Sequence, residues 1–498
     1  MLETRGATRG GLGRFAVTAA LVWACLVLWA LATPMFGAAD ENQQMITSYA
    51  VVHGQWPGQT DHTGARTYLV PSVFNRDGPC FLLAPQKPAD CQVLDFGGPA
   101  HRVQSTTNSY PPFYYVAVGW PTLLGSGLFS LYLMRFVSAL LVALMMALAF
   151  DTIGRARRRG PLVIGLAVGM VPAAFFFGAS VNPSGLTIAA GLATWAGGVL
   201  LVRGDPLLLR SGVARAAGPL CVFLVLRRDS LYWAALILVA IVALTPWDRA
   251  RRLARSRAAW AWAAAVGITA AVSFLLGGSD ASSVTASAGG VGSFWGSVAD
   301  IPDILRQLVG LLGWLDTALP FPAYAFVASI VALLVLGAWC FAAPRIAVVV
   351  AGLAVVVVAV PVAIGTLRYA YFQGRYEIGF AVGLPLVAAL GITEQLDARH
   401  GSWPRRALAL LLVMLAAVQV MAYAQTLRRF SAGAGGDWWI FTSPKWMPPH
   451  GSLTGLTVLF LIVNTALFVW LYQLGRTPSE SPAPPPVADA SSKVGLTT

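Results

Sequence analysis

The stretch "AADENQQ" (38–44) sets two carboxylates, Asp40 and Glu41, directly after the first long apolar run. A carboxylate held at such a place can take part in chemistry. It can equally mark the waterline, because only ionisable groups at membrane depth are functional by default. If the stretch is a short helix, neighbours at i and i+1 point apart. At most one of the pair then aims into a given site.

Four further stretches carry groups suited to an anion. "LRRDS" (226–230) puts Arg227 and Arg228 between two short apolar runs. There they either snorkel or clamp a phosphate through paired N–H donors. "QGRYEIGF" (373–380) joins Arg375 and Tyr376 to Gly374, which allows close backbone approach; the plain alternative is an aromatic belt with a snorkelling Arg. "SVNPSG" (180–185) offers Asn182 or Ser184 as a helix cap in a turn, or the helix amino terminus as an anion seat. In "SYPPFYYV" (109–116) two prolines exclude a helix interior and start a helix at Pro111, beside Tyr110. That segment also reads as an interfacial anchor.

These groups need elements to position them. The chain has 498 residues, 57% hydrophobic and 11% charged, where a soluble chain carries about a quarter charged. The class is an all-α polytopic membrane protein. Twelve apolar segments read as transmembrane helices: 13–33, 131–151, 161–179, 186–202, 207–226, 230–246, 258–277, 321–341, 346–365, 377–394, 405–424 and 454–473. Residues 1–476 form one transmembrane domain. Its long connections are a first loop at 34–130, with interfacial helices, and a second at 278–320. Residues 477–498, rich in Pro, Ser and Ala, are expected to be a disordered cytoplasmic tail.

Residues 110–128 test this threading. They are apolar, but if they spanned, "RARRRG" (155–160) would fall outside, against the positive-inside rule. An interfacial or re-entrant segment keeps every dense Arg cluster on one side. Both termini then face the cytoplasm, and the long loops face outward. The net charge of +13 follows from that bias; no basic aromatic module points to nucleic acid. Arg5, Arg9 and Arg14 before an apolar run resemble a signal peptide, but the run is longer than a usual signal core. Cys80 and Cys91 share a polar loop and are a disulfide candidate if that loop is extracytoplasmic. Only three of the basic residues are Lys, an Arg bias that hints at a GC-rich bacterial genome.

Whole classes of function drop out. A G-x-x-x-x-G-K-[ST] loop is absent, which argues against an ATP-driven pump. Very few ionisable residues lie near span centres, which argues against an ion-coupled transporter. Arg, aromatics and acids gather on one face, as an anionic lipid-borne substrate requires.

The acidic pair after the first span, the "Y-P-P-x-Y-Y" helix before the Arg-led "RFVSALLVAL" (135–144) and the late "Q-G-R-Y" together resemble the GT-C superfamily. These are polytopic glycosyltransferases that use polyprenyl-phosphate sugars. More narrowly, the chain resembles a bacterial branch of membrane proteins of unknown function whose first pattern reads roughly P-D-E-P-A-H. Here "AADENQQ" keeps the acids and lacks the flanking Pro residues and the His.

The resemblance implies a cell-envelope enzyme of the bacterial plasma membrane. It would move a sugar, with inversion, from a polyprenyl-phosphate donor to an extracytoplasmic glycan, lipid or protein. Asp40 would be the base, and Glu41 would orient the acceptor or help hold a divalent cation, which some relatives need and others do not. Arg375 first, then Arg227 and Arg228, would hold the departing phosphate, with Tyr376, Tyr110 and Asn182 lining the site. Two other expectations stand beside it: a non-catalytic carrier or flippase for lipid-linked glycans, and a degenerate GT-C scaffold.

Overall fold

A computed structural model describes residues 2–61, 66–74, 77–107, 110–156, 158–203, 209–277, 293–368, 372–399, 401–449 and 451–476. The expected tail (477–498) and the start of the second long loop (278–292) lie outside the described residues.

The chain opens with α1 (Leu2–Leu31), turns, and enters the short α2 (Glu41–Val52). Three strands follow: β1 (Gln59–Thr60), β2 (Arg66–Val70) and β3 (His101–Gln104). They form an antiparallel sheet in that order, with Thr67 opposite Gln104 and Val70 opposite His101. Between β2 and β3 a disulfide joins Cys80 to Cys91. The 7-residue α3 (Phe113–Gly119) then runs into a 5-residue 3-10 turn (Trp120–Leu124). That piece is about 20 Å long, well short of a hydrocarbon core of about 30 Å. Residues 110–128 therefore do not cross a bilayer as a helix.

Next come α4 (Leu128–Ile153), α5 (Gly160–Gly169), α6 (Pro172–Gly178), α7 (Pro183–Arg203), α8 (Leu209–Leu224), α9 (Ser230–Leu244), α10 (Trp247–Ala254) and α11 (Arg257–Leu276). The second long loop contributes α12 (Phe294–Ala299), α13 (Ile301–Val309) and a small hairpin, β4 (Leu311–Leu312) with β5 (Thr317–Ala318). The chain ends with α14 (Phe321–Phe341), α15 (Pro344–Arg368), α16 (Ile378–Ala381), α17 (Gly383–Ala398), α18 (Arg405–Ser431) and α19 (Leu453–Gly475). The described residues are mostly helical with two small sheets in the loops, consistent with an all-α polytopic membrane protein.

Among the described residues, nine helices are long and apolar enough to cross a membrane. The number is eleven if each of two bent pairs is one span: α5–α6, bent 57°, and α9–α10, bent 119°. Pro172 and Pro246 stand at these breaks, where proline removes a backbone donor and disfavours helix in the residue before it. Every expected span meets a helix. The segment expected at 207–226 forms the 16-residue α8, shorter than the roughly 20 residues a crossing needs. The span expected at 377–394 starts at Ile378, which leaves Glu377 in the turn before it.

Packing grades from centre to rim. α7 is buried on nearly every side, while α11 turns almost its whole surface outward, including Trp260, Ile268 and Phe274, as a lipid-facing helix does. Gly191 of α7 lies so close to α16 that a Cβ there would stand 2.3 Å from the Gly379 carbonyl oxygen. Only glycine allows this approach, and it draws the turn before α16 against α7.

The two ends of the bundle differ in chemistry. At one end the buried Asp151 pairs with Arg14, Arg155 and Arg215, and Asp397 pairs with Arg158 and Arg203. Arg159 reaches the Arg476 carbonyl there, so the start of α1 and the end of α19 share that end. The opposite end gathers the loops. Fully buried Arg429, at the end of α18, pairs with Asp316 and donates to the carbonyls of Phe81, Ala84 and Lys87.

Candidate functional site

At the loop end, residues 39–41 are fastened from several sides. The Ala39 N–H donates to the Gly313 carbonyl at 3.1 Å. The Ala39 carbonyl accepts from Asn182 Nδ2 at 3.0 Å and from Arg375 at 3.3 Å. Asn182 also caps α7, accepting from the Ser184 N–H through Oδ1 at 2.9 Å. Asp40 itself adopts the left-handed conformation, φ 63°, which Asp tolerates better than most residues but at a cost of roughly 1–2 kcal/mol. These contacts hold the strained turn and aim the two acids apart.

Glu41 points inward. It is fully buried and takes two hydrogen bonds from Arg135, Nε to Oε1 at 2.7 Å and Nη2 to Oε2 at 2.6 Å. The Val181 N–H adds a third at 3.1 Å. Arg135 spends its other donors on the carbonyls of Ala30, Thr33 and Pro34. This buried bidentate pair ties the end of α1 to α4 and α2, and it leaves Glu41 closed to an acceptor. Sequence reading took Arg135 only as the start of a span. Its signal was an Arg placed inside an apolar helix, which demands a buried partner.

Asp40 points the other way, into an ion pair with Arg375. The Asp40 side chain is 40% exposed and that of Arg375 only 3%, so the pair sits at a boundary between interior and surroundings. The Arg375 guanidinium lies 5.3 Å from the ring of Tyr376 and 5.3 Å from that of Phe177. Tyr376 in turn covers Arg227, at 4.4 Å, and Tyr110 covers the same Arg at 5.2 Å. Arg227 takes Asp229 in a bidentate pair at 2.8 and 3.2 Å and reaches Ser184 Oγ at 3.4 Å. Tyr110 is set by its N–H to the Thr107 carbonyl, and Thr107 bonds Thr47 of α2.

Asp40, Arg375, Tyr376, Arg227 and Tyr110 thus form one run of touching groups, with Asn182 behind it. They come from five separate stretches of sequence. Each cation–aromatic contact here is worth about 0.5–2 kcal/mol. Arg228 differs: it is exposed, and its stem passes over Gly277 at the end of α11.

Charge balance at the cluster follows from burial. Desolvation alone would lower the pKa of both arginines. Asp40 with Tyr376 raises that of Arg375, and Asp229 with Tyr110 and Tyr376 that of Arg227, together by more than burial takes away, so both guanidiniums stay charged. Burial pushes the Tyr110 hydroxyl up to about 12, which keeps it neutral. The result is two buried cations, each answered by one carboxylate, with aromatic faces between them. A phosphate can enter such a site by replacing a carboxylate on either guanidinium.

Among the described residues, no group of three or more His, Cys, Asp or Glu side chains converges to hold a metal ion. Glu41 is committed to Arg135 and Asp229 to Arg227. The arrangement does not fit a divalent cation held by the protein.

A protein family described as "Predicted membrane protein (DUF2142)" matches residues 24–384, well over half of the chain. The chain belongs to that family, and with its many apolar helices it is a membrane protein in contact with the lipid bilayer. No curated protein matches it.

Proposed function

We propose that this member of the DUF2142 family is an inverting glycosyltransferase of GT-C type that uses a polyprenyl-phosphate sugar. The observation that carries the reading is the single cluster in which an exposed-edge carboxylate, Asp40, touches a buried Arg375 that is stacked through Tyr376 onto Arg227. It combines a base with a two-cation seat for a lipid phosphate, which is what the transfer needs.

The donor phosphate binds Arg375 and Arg227 in place of Asp40 and Asp229. Its arrival frees Asp40 from Arg375, so the base is released only when donor is present. Asp40 then takes the proton of an acceptor hydroxyl. The acceptor oxygen bonds the anomeric carbon from the face opposite the phosphate, and the C–O bond to phosphate breaks with its electron pair. Polyprenyl phosphate leaves, its growing charge held by the two guanidiniums. General-base help of this kind is worth about 10²- to 10⁴-fold in rate.

The reading places the loop end outside the bacterial plasma membrane and both termini in the cytoplasm. Two features support it. The Arg-rich end carries the positive-inside signal, and the loop end carries the Cys80–Cys91 disulfide, which persists in an oxidising compartment. The acceptor is then an envelope glycan, lipid or protein. Transfer from decaprenyl-phosphoryl sugars to envelope acceptors in proteoliposomes, by wild type and Asp40→Asn, tests the reading.

A further inference from the structure

One group beside the cluster is not used by that chemistry. Glu377, next to Tyr376, is fully buried, and neither of its carboxylate oxygens has a hydrogen-bond partner among the described residues. Three more buried polar atoms close by in the chain are unpaired in the same way: Gln373 Oε1, Arg375 Nε and, three residues after Arg227, Ser230 Oγ. The neighbouring elements are held together, since the ring of Phe380 of α16 packs at a tilt against that of Trp233 of α9, centroids 5.4 Å apart. Buried polar groups are almost always bonded, and each orphan costs free energy comparable to a lost hydrogen bond. Five such atoms, all within three residues of Arg375 or Arg227 in the chain, point to a ligand that supplies their partners.

The chemistry of that ligand follows from the groups. The other buried acids at this end, Glu41 and Asp316, each hold an Arg; Glu377 has no ion-pair partner among the described residues. Burial pushes its carboxyl up to about 9, so it is neutral and both donates and accepts. Gln373 Oε1 and Ser230 Oγ also accept. Paired donors and acceptors without net charge match vicinal hydroxyls.

Resting on the glycosyltransferase reading, we infer that Glu377, with Gln373 and Ser230, is the subsite that binds the hydroxyls of the donor sugar while Arg375 and Arg227 hold its phosphate. A site built to bond hydroxyls rejects a ligand that lacks them, because its buried groups then stay unpaired.

The test uses full-length protein in nanodiscs, with decaprenyl phosphate and its arabinosyl, glucosyl and mannosyl esters as probes. Wild type should bind at least one sugar ester tighter than decaprenyl phosphate. Glu377→Leu should weaken that ester by about tenfold or more, Glu377→Gln, which keeps a donor and an acceptor, should weaken it less, and both should leave decaprenyl phosphate within about twofold. That unchanged binding also reports that the variants fold. Arg375→Ala should weaken every probe. If Glu377→Leu binds the preferred ester like wild type, or if wild type prefers no ester, the sugar subsite is overturned and the phosphate seat stands. If wild type binds no polyprenyl phosphate at all, the glycosyltransferase reading falls and the subsite with it.

Discussion

Asp40 and Arg375 lie 335 residues apart in the chain and close an ion pair at the loop end of the bundle. Its neighbour in sequence, Glu41, is paired instead with Arg135 in the interior. Two adjacent acids thus take opposite parts, one at an accessible edge and one as a buried tie.

The buried tie predicts a stability difference. Glu41→Ala leaves Arg135 charged and unpaired, at a cost of about 3–5 kcal/mol. Asp40→Asn, at a side chain 40% exposed that still offers an oxygen to Arg375, should cost less than Glu41→Ala. Thermal unfolding in detergent measures both. Equal effects would remove the distinction between the two acids.

Removing the Arg375 guanidinium should weaken decaprenyl phosphate binding by about 30-fold or more, since loss of one member of a buried charge pair costs 2 kcal/mol or more. Arg375→Lys keeps the charge and loses the paired donors, so it should fall between wild type and Arg375→Ala. Lipid-phosphate titrations in nanodiscs check the order. A Lys variant no better than Ala would mean that position, not charge, governs the seat.

Tyr110 supplies a ring to Arg227 and a hydroxyl raised to about 12 by burial. Tyr110→Phe should therefore leave phosphate affinity near wild type, and Tyr110→Ala should reduce it by about 2- to 30-fold. The raised pKa has a stability sign. Folded and unfolded chains are both protonated at Tyr110 below pH 10, so its contribution is complete there. It is lost as pH rises from 10 through about 12. Alkaline unfolding curves of Tyr110→Phe should be flatter than wild type in that window; identical slopes would contradict the buried hydroxyl.

The sidedness can be read from thiol chemistry. In intact cells, Cys80 and Cys91 should resist a maleimide until a membrane-impermeant reductant is added. A Cys340→Ser background removes the exposed free thiol. Labelling without reduction would put the loop end on the reducing side.

Much of the site was legible because an Arg, Tyr or Asp at the boundary of an apolar run can only lie at an end of the bundle. Charge asymmetry then decides which boundaries share an end. That reasoning brought Asp40, Arg375, Tyr376, Arg227, Tyr110 and Asn182 to one place. It could not order them, because the stacking depends on rotamers and on the close passage of Gly191 past Gly379. It did not separate Arg227, which is buried, from Arg228, which is exposed. It missed Arg135 because an Arg near a helix start looks like an interfacial anchor until its partner is seen. The β1–β3 sheet was invisible for a different reason. Strands of two to five residues in a polar loop carry too little period-2 pattern to stand out. The short α8 escaped because hydropathy counts apolar residues, not where a helix stops.

The most direct measurement is sugar transfer by Asp40→Asn alongside its affinity for decaprenyl phosphate. The proposed mechanism predicts transfer reduced by about 10²-fold or more, with lipid-phosphate binding retained or tightened because Arg375 no longer has a competing carboxylate. Transfer at the wild-type rate in the Asp40→Asn protein would contradict it.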